Sequence, residues 1–393
     1  MRATEQLRTN LYASIGEQLV HYEVDVAQAA LVGRDTVTLP ANVQYAWPHP
    51  SRRYLYVASS DRERGGLGEQ HRLTIFRIGD SGALEQIGSA LPLPYRPIHV
   101  TVDGSGRWLA IAFNNAGSKR GPGTVLLSRL QHDGASVEAL ESDEEIDAGI
   151  YPHQTRFTVD DKTLLVCARG NRATAERAEE LGDLKSFRID QSVLVLAANV
   201  RYESGLGPRH LDVHPTQPWA YVSMERGNKL CMHPLDRAGT ISVAPVHTKS
   251  TLADETHGKR LRQIAGPIHI HPAGTHVYIA NRADGFTRDG DAEVFEGGEN
   301  NIAVYRIEAD GEPSIVQHAD TQGISPRTFS IDRSGRLLVV GNQLSRPTRM
   351  GDSIAAIPVS LALFRVCAKG SLEFVRKYDL DTGKKSLFWM GLL

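Results

Sequence analysis

Residues 207–225 read Gly207-Pro-Arg-His-Leu-Asp-Val-His-Pro-Thr-Gln-Pro-Trp-Ala-Tyr-Val-Ser-Met-Glu225. The segment from Arg209 to His214 alternates between polar and apolar residues, and the segment from Trp219 to Ser223 is rich in aromatic and β-branched residues. Such segments are typical of β-strands. The prolines between them predict a turn, because proline cannot donate to a strand ladder.

The same unit recurs along the chain at a nearly fixed interval. Six copies end at Val57, Ile111, Val166, Val222, Ile279 and Val340. Successive copies are therefore 54, 55, 56, 57 and 61 residues apart. A truncated seventh copy stands at Leu11. In the copy quoted above, a third strand is predicted from Lys229 to Pro234 and a fourth from Ile241 to His247. Seven units of four antiparallel strands predict an all-β, seven-bladed β-propeller.

The two ends of the chain are predicted to complete one blade together. The first copy lacks an inner strand before Leu11, whereas an extra apolar segment, Ser386 to Leu393, follows the last copy. We expect this tail to supply the missing strand and close the ring, which removes exposed sheet edges. Since the copies follow one another without a linker, residues 1–393 are interpreted as a single domain. Only Ala173 to Leu184 has a helical pattern, which argues against an α/β barrel.

Composition excludes several classes of partner. Apolar residues make up 41% of the 393 residues and the net charge is −2, so we expect neither a nucleic-acid nor a membrane-surface partner. No run of 18 apolar residues is present, and the polar N-terminus does not resemble a signal peptide. Three scattered cysteines (Cys167, Cys231 and Cys367) do not form a disulfide framework. These features favour a cytoplasmic protein.

A propeller places the start of each first strand and the end of each second strand on the same rim of the central channel. The polar residues at these positions are His99, Asn114, Asn115, His153, Arg209, His210, Glu225, His269, Asn281, Arg282, Arg327, Asn342 and Gln343. Several cations with a carboxylate and histidines are the expected lining of a site for an anionic, oxygen-rich small molecule. The alternative is that these side chains form ion pairs with one another and only fill the channel.

Four ordered segments resemble a known family. They begin at Pro152, Gly207, Ile268 and Ser325, and they resemble the lactonase-type seven-bladed β-propellers, which include propeller 6-phosphogluconolactonases and 3-carboxy-cis,cis-muconate lactonising enzymes. The resemblance covers blades three to six. It implies a catalytic cluster of four residues, which are His153, Arg209, Glu225 and Arg282. It also implies a pocket lined by His210, Arg327, Asn342 and Gln343, to which the rim positions add His269 and Asn281 as substrate-binding residues.

Three segments depart from the family pattern on the same face. An acidic insertion, residues 283–300, contains six carboxylates against one arginine, Arg288. An extra segment with a helical pattern spans residues 169–183, and residues 345–357 lengthen the corresponding loop of blade six. We expect these loops to enclose the site, with the acidic insertion as a lid. Its charge is expected to repel a doubly charged phosphate.

Three functions fit these residues. In lactone hydrolysis, His153 or Glu225 removes a proton from water, while Arg209 and Arg282 stabilise the oxyanion and hold a substrate carboxylate. In cycloisomerisation of the muconate type, the same groups protonate carbon while a substrate carboxylate attacks internally. The third alternative is a non-enzymatic interaction module, which the His, Arg and Glu rim disfavours because partner-binding faces are rich in exposed aromatic residues.

No cofactor or metal is expected. The chain has no Gly-rich phosphate loop, nucleotide fingerprint or Cys-x-x-Cys motif. His269 with His271 and His210 with His214 are pairs two and four residues apart, but a metal site needs three or four converging ligands. We interpret His214 and His271 as caps of the turns on the opposite face.

Overall fold

A computed structural model of the chain describes residues 9–62, 68–114, 122–138, 146–260 and 262–393. The predicted rim residue Asn115 lies outside these ranges. Seven four-stranded antiparallel sheets are arranged as the blades of a propeller, which confirms the predicted fold class. In the described parts of the chain the only helices are two short 3-10 turns, His132–Gly134 and Glu255–Lys259. None of the described helices is long and apolar enough to cross a membrane.

Each blade is built from four strands, which follow one another from the channel outward. They are, in blade one, Asn42–Pro48, Tyr54–Ser60, His71–Ile78 and Leu84–Pro92; in blade two, Pro97–Val102, Trp108–Phe113, Thr124–Gln131 and Ser136–Val137; in blade three, Pro152–Phe157, Thr163–Ala168, Asp183–Asp190 and Val193–Arg201; in blade four, Pro208–Val213, Trp219–Met224, Lys229–Pro234 and His247–Ser250; in blade five, Gln263–Ile270, His276–Ala283, Asn301–Ile307 and Pro313–Asp320; in blade six, Ile324–Ile331, Leu337–Leu344, Ser360–Val366 and Leu372–Asp379; and in blade seven, Leu387–Leu392, Thr9–Ile15, Gln18–Asp25 and Ala30–Thr38. Two additional hairpins project from the functional face: Phe286–Asp289 with Ala292–Phe295, and Arg346–Met350 with Ser353–Ile357.

Blade seven joins the two ends of the chain, as the sequence predicted. Its inner strand, Leu387–Leu392, pairs antiparallel with Thr9–Ile15 near the N-terminus. The backbone amides and carbonyls of Asn10 and Leu393 exchange two hydrogen bonds of 2.9 and 2.8 Å. This pairing closes the ring.

Two predicted elements were wrong. The outer strand of blade four is His247–Ser250 rather than Ile241 to His247, because Pro245 interrupts the earlier segment and Ile241 forms only an isolated bridge to Leu235. The segment from Ala173 to Leu184 is not helical. Residues 171–180 form a narrow loop, with isolated bridges between Asn171 and Glu180 and between Thr174 and Arg177. The side-chain amide of Asn171 also donates to the carboxylate of Glu180.

The hydrophobic core lies between blades. The described apolar side chains form seven buried clusters, and each cluster joins two neighbouring blades. Tyrosine hydroxyls reinforce four of these contacts by donating to a glycine carbonyl of the next blade; the pairs are Tyr12–Gly82, Tyr56–Gly134, Tyr221–Gly311 and Tyr278–Gly370. Because each blade packs only on its neighbours, the ring geometry is fixed by these repeated contacts.

A β-bulge near the start of each inner strand determines which side chains face the channel. The pairing register shifts by one residue at this point in all seven blades. Among the residues at the shift are His153, Arg209 and Arg327, each directly after a proline. A bulge re-aims a side chain relative to a regular ladder. In these blades it directs the three side chains to the channel wall.

Closure of the ring predicts a specific effect on stability. Leu387 is fully buried in the cluster between blades six and seven, so Leu387→Ala is expected to lower the free energy of unfolding by about 2–5 kcal/mol. Leu196→Ala, at a leucine that is 52% exposed on an outer strand, is the matched control and is expected to change it by less than about 0.5 kcal/mol. Chemical denaturation measures both. Equal effects of the two variants would contradict the role of the C-terminal strand.

Candidate active site

The central channel contains a cavity of about 810 Å³, within the range typical of small-molecule sites. At the functional end, its wall includes His153, Arg209, His210, His269 and Arg327, all of which the sequence predicted as site residues. Aromatic side chains line other parts of the wall, among them Tyr45, Trp47, Phe329, Phe388 and Trp389. The cavity thus combines cationic and imidazole groups with apolar surface.

Glu225 is the centre of an ion cluster directly behind this wall. Its side chain is only 6% exposed. One carboxylate oxygen lies 2.9 Å from Nη1 of Arg169; the other lies 3.0 Å from Nε of Arg209 and 3.4 Å from Nη2 of Arg282. The three guanidinium groups come from blades three, four and five. The cluster therefore carries more positive than negative charge.

This environment determines the protonation of Glu225. Burial by itself raises the pKa of the carboxyl group, but the charges of Arg169, Arg209 and Arg282 outweigh burial and lower its pKa to about 2. A carboxylate with so low a pKa is a weak proton acceptor at neutral pH. Glu225 consequently fits the role of holding the arginines in place better than the role of a general base.

His153 is the candidate catalytic histidine that the sequence predicted. It lines the cavity, and its ring contacts those of Tyr151 and His210 at centroid distances of 6.2 and 4.8 Å. Its Nδ1 is buried and has no hydrogen-bond partner among the described residues. Burial, followed by the charge of Arg209, holds the pKa of His153 well below the usual value. The imidazole is therefore neutral at physiological pH and able to accept a proton.

His210 is also neutral, but its role differs. Nη1 of Arg209 lies 2.9 Å from Nδ1 of His210, and since a guanidinium group can only donate, Nδ1 is the acceptor. Burial and the charge of Arg209 keep the pKa of His210 well below its ordinary range. This hydrogen bond fixes the orientation of the Arg209 guanidinium at the cavity wall.

At the functional end of the cavity, Arg327 and Arg96 have no carboxylate partner among the described residues. Arg327 lies over the ring of Phe388, with its Cζ 3.7 Å from the ring centroid, and burial lowers its pKa to about 9. Arg96 donates two hydrogen bonds to the neutral amide oxygen of Gln44, at 3.0 and 2.7 Å. Both cations remain available to an anionic ligand.

Three of the predicted site residues lie away from the cavity. Asn281 and Asn342 are fully buried, and their amide groups donate to the loop carbonyls of Thr251 and Thr321 and to neighbouring side chains. Gln343 is half-buried and does not line the cavity. Arg282 also does not line the cavity, but its contact with Glu225 places it in the cluster.

Three residues of the site were not predicted from the sequence: Arg96, Tyr151 and Arg169. A signal for Arg169 was present, because it lies three residues after Val166, just as Glu225 follows Val222 and Arg282 follows Ile279. Arg96 and Tyr151 precede the proline that begins the first strand in blades two and three. The repeat alone would have selected all three positions.

The acidic insertion carries less free charge than its sequence suggests. Asp284 pairs with Arg262 at 2.6 Å, and Asp289 pairs with Arg349 of the hairpin from blade six. Glu299 accepts hydrogen bonds from two backbone amides and lies 3.0 Å from Nδ1 of His257. Two of the six carboxylates of the insertion are therefore paired with an arginine.

The histidines outside the cluster have structural partners. Nδ1 of His214 accepts from the amides of Thr216 and Gln217, and that of His271 accepts from the amide of Ala273. Both rings also contact a glycine carbonyl of the next blade, so the predicted turn caps are confirmed. The described residues contain no group of three or more potential ligands that could hold a metal ion.

The Glu225 cluster predicts a pH-dependent contribution to stability. Its carboxylate is stabilised in the folded state, so this contribution is present above the unfolded pKa of about 4.5 and is lost as the pH falls towards 2, by about 3 kcal/mol. At neutral pH, Glu225→Gln is expected to destabilise by about 3–5 kcal/mol, because the three arginines lose their counter-charge.

Denaturation of both proteins at several pH values measures this contribution, and the variant is expected to show the smaller loss in acid. Glu85→Gln, which breaks an exposed ion pair of 3.1 Å with Arg77, is the matched control and should cost less than about 1 kcal/mol. A neutral-pH stability of Glu225→Gln equal to that of the control would contradict the cluster's structural role.

Comparison with known proteins places the chain in a family. The sequence model of the seven-bladed β-propeller lactonases matches residues 8–350. The chain is similar to a 6-phosphogluconolactonase of Cronobacter sakazakii, with 30% identity over 336 residues that cover 85% of this chain and 87% of that protein. A second 6-phosphogluconolactonase, from an Enterobacter species, is 28% identical over 342 residues, covering the same shares of both chains.

Among solved structures, the periplasmic gluconolactonase PpgL of Pseudomonas aeruginosa has a TM-score of 0.72 at 22% identity, covering 95% of this chain and 97% of that chain. At this identity the likeness shows the fold alone. The family match covers most of the chain and confirms the resemblance inferred from the four segments. The chain belongs to the seven-bladed β-propeller lactonase family and is a lactonase-type enzyme.

Proposed function

We propose that this enzyme hydrolyses a small anionic lactone of the sugar-acid type in the central channel. The observation that carries the proposal is the cavity wall itself, where the neutral imidazole of His153 lies close to a guanidinium cluster and to Arg96 and Arg327, which have no carboxylate partner among the described residues. Relatives named 6-phosphogluconolactonase and gluconolactonase support a sugar-acid lactone as the substrate class.

The proposed reaction begins with His153. Its neutral ring accepts a proton from a water molecule as the water oxygen attacks the lactone carbonyl carbon. Arg209 lines the cavity and faces the position where the carbonyl oxygen becomes negatively charged. Glu225 acts from behind, since its contact holds the Arg209 guanidinium in place before the charge develops, and Arg282 contacts Glu225 in turn. Collapse of the tetrahedral intermediate then opens the ring.

Arg327 and Arg96 are proposed to bind the anionic substituent of the substrate. Neither guanidinium has its charge neutralised by a carboxylate among the described residues, and guanidinium groups match carboxylate and phosphate oxygens well. The acids of the insertion that are paired with arginines do not add to repulsion of a phosphate. A phosphorylated sugar lactone is therefore compatible with the site.

Hydrolysis and cycloisomerisation can be separated by following the oxygen of the solvent. Hydrolysis transfers one water oxygen into the product carboxylate, whereas cyclisation transfers none. Incubation in heavy-oxygen water followed by mass spectrometry is expected to show the label in the acid. An unlabelled product formed at the enzymatic rate would support the cycloisomerase alternative.

The role of His153 predicts a large effect on turnover. His153→Ala is expected to lower kcat for 6-phosphoglucono-δ-lactone by about 10²–10⁴, because a positioned base contributes that much. The lowered pKa of His153 also predicts that the acidic limb of the wild-type rate profile lies well below pH 6.5, since only the neutral ring accepts a proton. His247→Ala, on the outer strand of blade four, is the control. Wild-type turnover in His153→Ala would contradict the assignment.

The role of Arg327 predicts a change in substrate preference. Arg327→Gln removes a charged hydrogen-bond donor worth about 1.5–3 kcal/mol, so KM for 6-phosphoglucono-δ-lactone is expected to rise about 10- to 100-fold. KM for glucono-δ-lactone, which lacks the phosphate, should change less than about threefold. The exposed Arg77→Gln serves as the control. A similar loss for both lactones would show that Arg327 does not bind the anionic substituent.

A further inference from the structure

Tyr151 has an unusual backbone conformation at the cavity wall. Its φ is +59°, in the left-handed region that non-glycine residues rarely adopt, and it directly precedes Pro152, which disfavours most conformations outside the extended region. The equivalent residues are Gly207 in blade four and Ser325 in blade six, with φ of +66° and +57°. Glycine meets this backbone requirement without strain. The chain nevertheless has a large aromatic side chain at this position, and strained positions of this kind concentrate at functional sites.

The side chain of Tyr151 lies among cations from three blades. Its ring contacts Arg169 of blade three, whose Cζ is 4.2 Å from the ring centroid, and is nearly parallel to the ring of His153. Arg96 of blade two and Arg62 of blade one add further positive charges that act on the phenol. The phenol thus borders the same cavity as His153 and faces a surface that stabilises negative charge.

These neighbours act on the acidity of the phenol. Burial by itself raises the pKa of Tyr151 and the charge of Glu225 acts in the same direction. The charges of Arg169, Arg96 and Arg62 outweigh both, so its pKa is lowered below the ordinary tyrosine value. The buried tyrosines Tyr12, Tyr45, Tyr56 and Tyr221 all shift in the opposite direction. Tyr151 therefore combines a strained position, a cavity location and a phenol that gives up its proton more readily.

We propose that Tyr151 is a further catalytic residue, the acid that donates a proton to the ring oxygen as the lactone opens. The proposal rests on the lactone hydrolysis proposed above. Opening breaks the bond between the carbonyl carbon and the ring oxygen, and the electron pair of that bond goes to the oxygen. Without a proton this oxygen would leave as an alkoxide, which is a poor leaving group.

The protons balance over the cycle. His153 accepts one proton from the attacking water, and Tyr151 gives one proton to the departing oxygen. After ring opening, Tyr151 is a phenolate beside Arg96 and Arg169, and the neighbouring His153 is protonated. Return of the proton from His153 to Tyr151, directly or through water, restores both groups. Net consumption is one water, and the product is a hydroxy acid.

Tyr151→Phe tests this role, because it keeps the ring, its contact with Arg169 and the backbone strain but removes the phenol. We expect kcat for 6-phosphoglucono-δ-lactone to fall about 10²-fold or more, with little change in KM. Since the acid must be protonated, wild-type kcat is expected to decline as the pH rises through the phenol pKa, below about pH 10. This alkaline limb should be absent from the variant after subtraction of spontaneous hydrolysis.

A second readout does not depend on activity. The ultraviolet difference absorbance of phenolate, followed during alkaline titration of the folded protein, is expected to show one tyrosine that ionises early and that Tyr151→Phe lacks. Tyr45→Phe is the matched control for the titration. It removes another phenol of the same cavity, but one whose pKa is raised to about 12 by burial, so the early step should remain.

The outcomes separate this inference from the proposed function. Turnover and an alkaline limb that are both insensitive to Tyr151→Phe would overturn the acid role and leave lactone hydrolysis intact. The absence of an early-ionising tyrosine in the wild type would also overturn it. A wild-type protein that hydrolyses neither lactone would overturn both proposals. A loss of kcat together with loss of the early titration step supports the acid role.

Discussion

A single buried carboxylate holds the functional end of the channel together. Glu225 contacts guanidinium groups from three consecutive blades, at distances between 2.9 and 3.4 Å. Without it, Arg169, Arg209 and Arg282 would repel one another in a region of low dielectric. The cost of burying Glu225 is offset only because all three cations are present. The positions of the three arginines therefore depend on the charge of Glu225, and the charged state of Glu225 depends on the arginines. Since these residues come from three blades, no single blade can form the cluster.

The charge that remains after these pairings is positive at the functional end of the cavity. Three cations surround one carboxylate in the cluster, and Arg96 and Arg327 add two more to the cavity wall without a described carboxylate partner. A cleft with one dominant sign of charge concentrates oppositely charged ligands. Burial, followed by the charge of Arg209, lowers the pKa of His153 and keeps its ring neutral. In the proposed function, binding of an anion and activation of water both depend on this electrostatic arrangement.

The repeat made most of the fold predictable. Strand geometry explains why some predicted site residues lie away from the cavity. The spacing from Val57 to Val340 identified the blades, and the missing strand before Leu11 identified the closure. The repeat spacing could not show which of the adjacent residues Asn281 and Arg282 belongs to the cluster. Adjacent residues of a strand point to opposite faces, so Arg282 reaches Glu225 while Asn281 turns to the loop carbonyl of Thr251. The bulges that aim His153 and Arg209 depend on inter-strand pairing, which composition does not reveal.

The two insertions also show why net sequence charge is a poor guide to the potential at a site. Taken alone, residues 283–300 would place a strongly acidic loop beside a channel that is lined by arginines. In the structure, Asp289 pairs with Arg349 of the blade-six hairpin, and Arg346 of that hairpin lies over Phe286, with its Cζ 4.6 Å from the ring centroid. The hairpins from blades five and six therefore form one contacting unit, in which charges of opposite sign are matched across the gap between blades. The potential that a substrate meets is set by the residual charges in the channel wall, and those are positive.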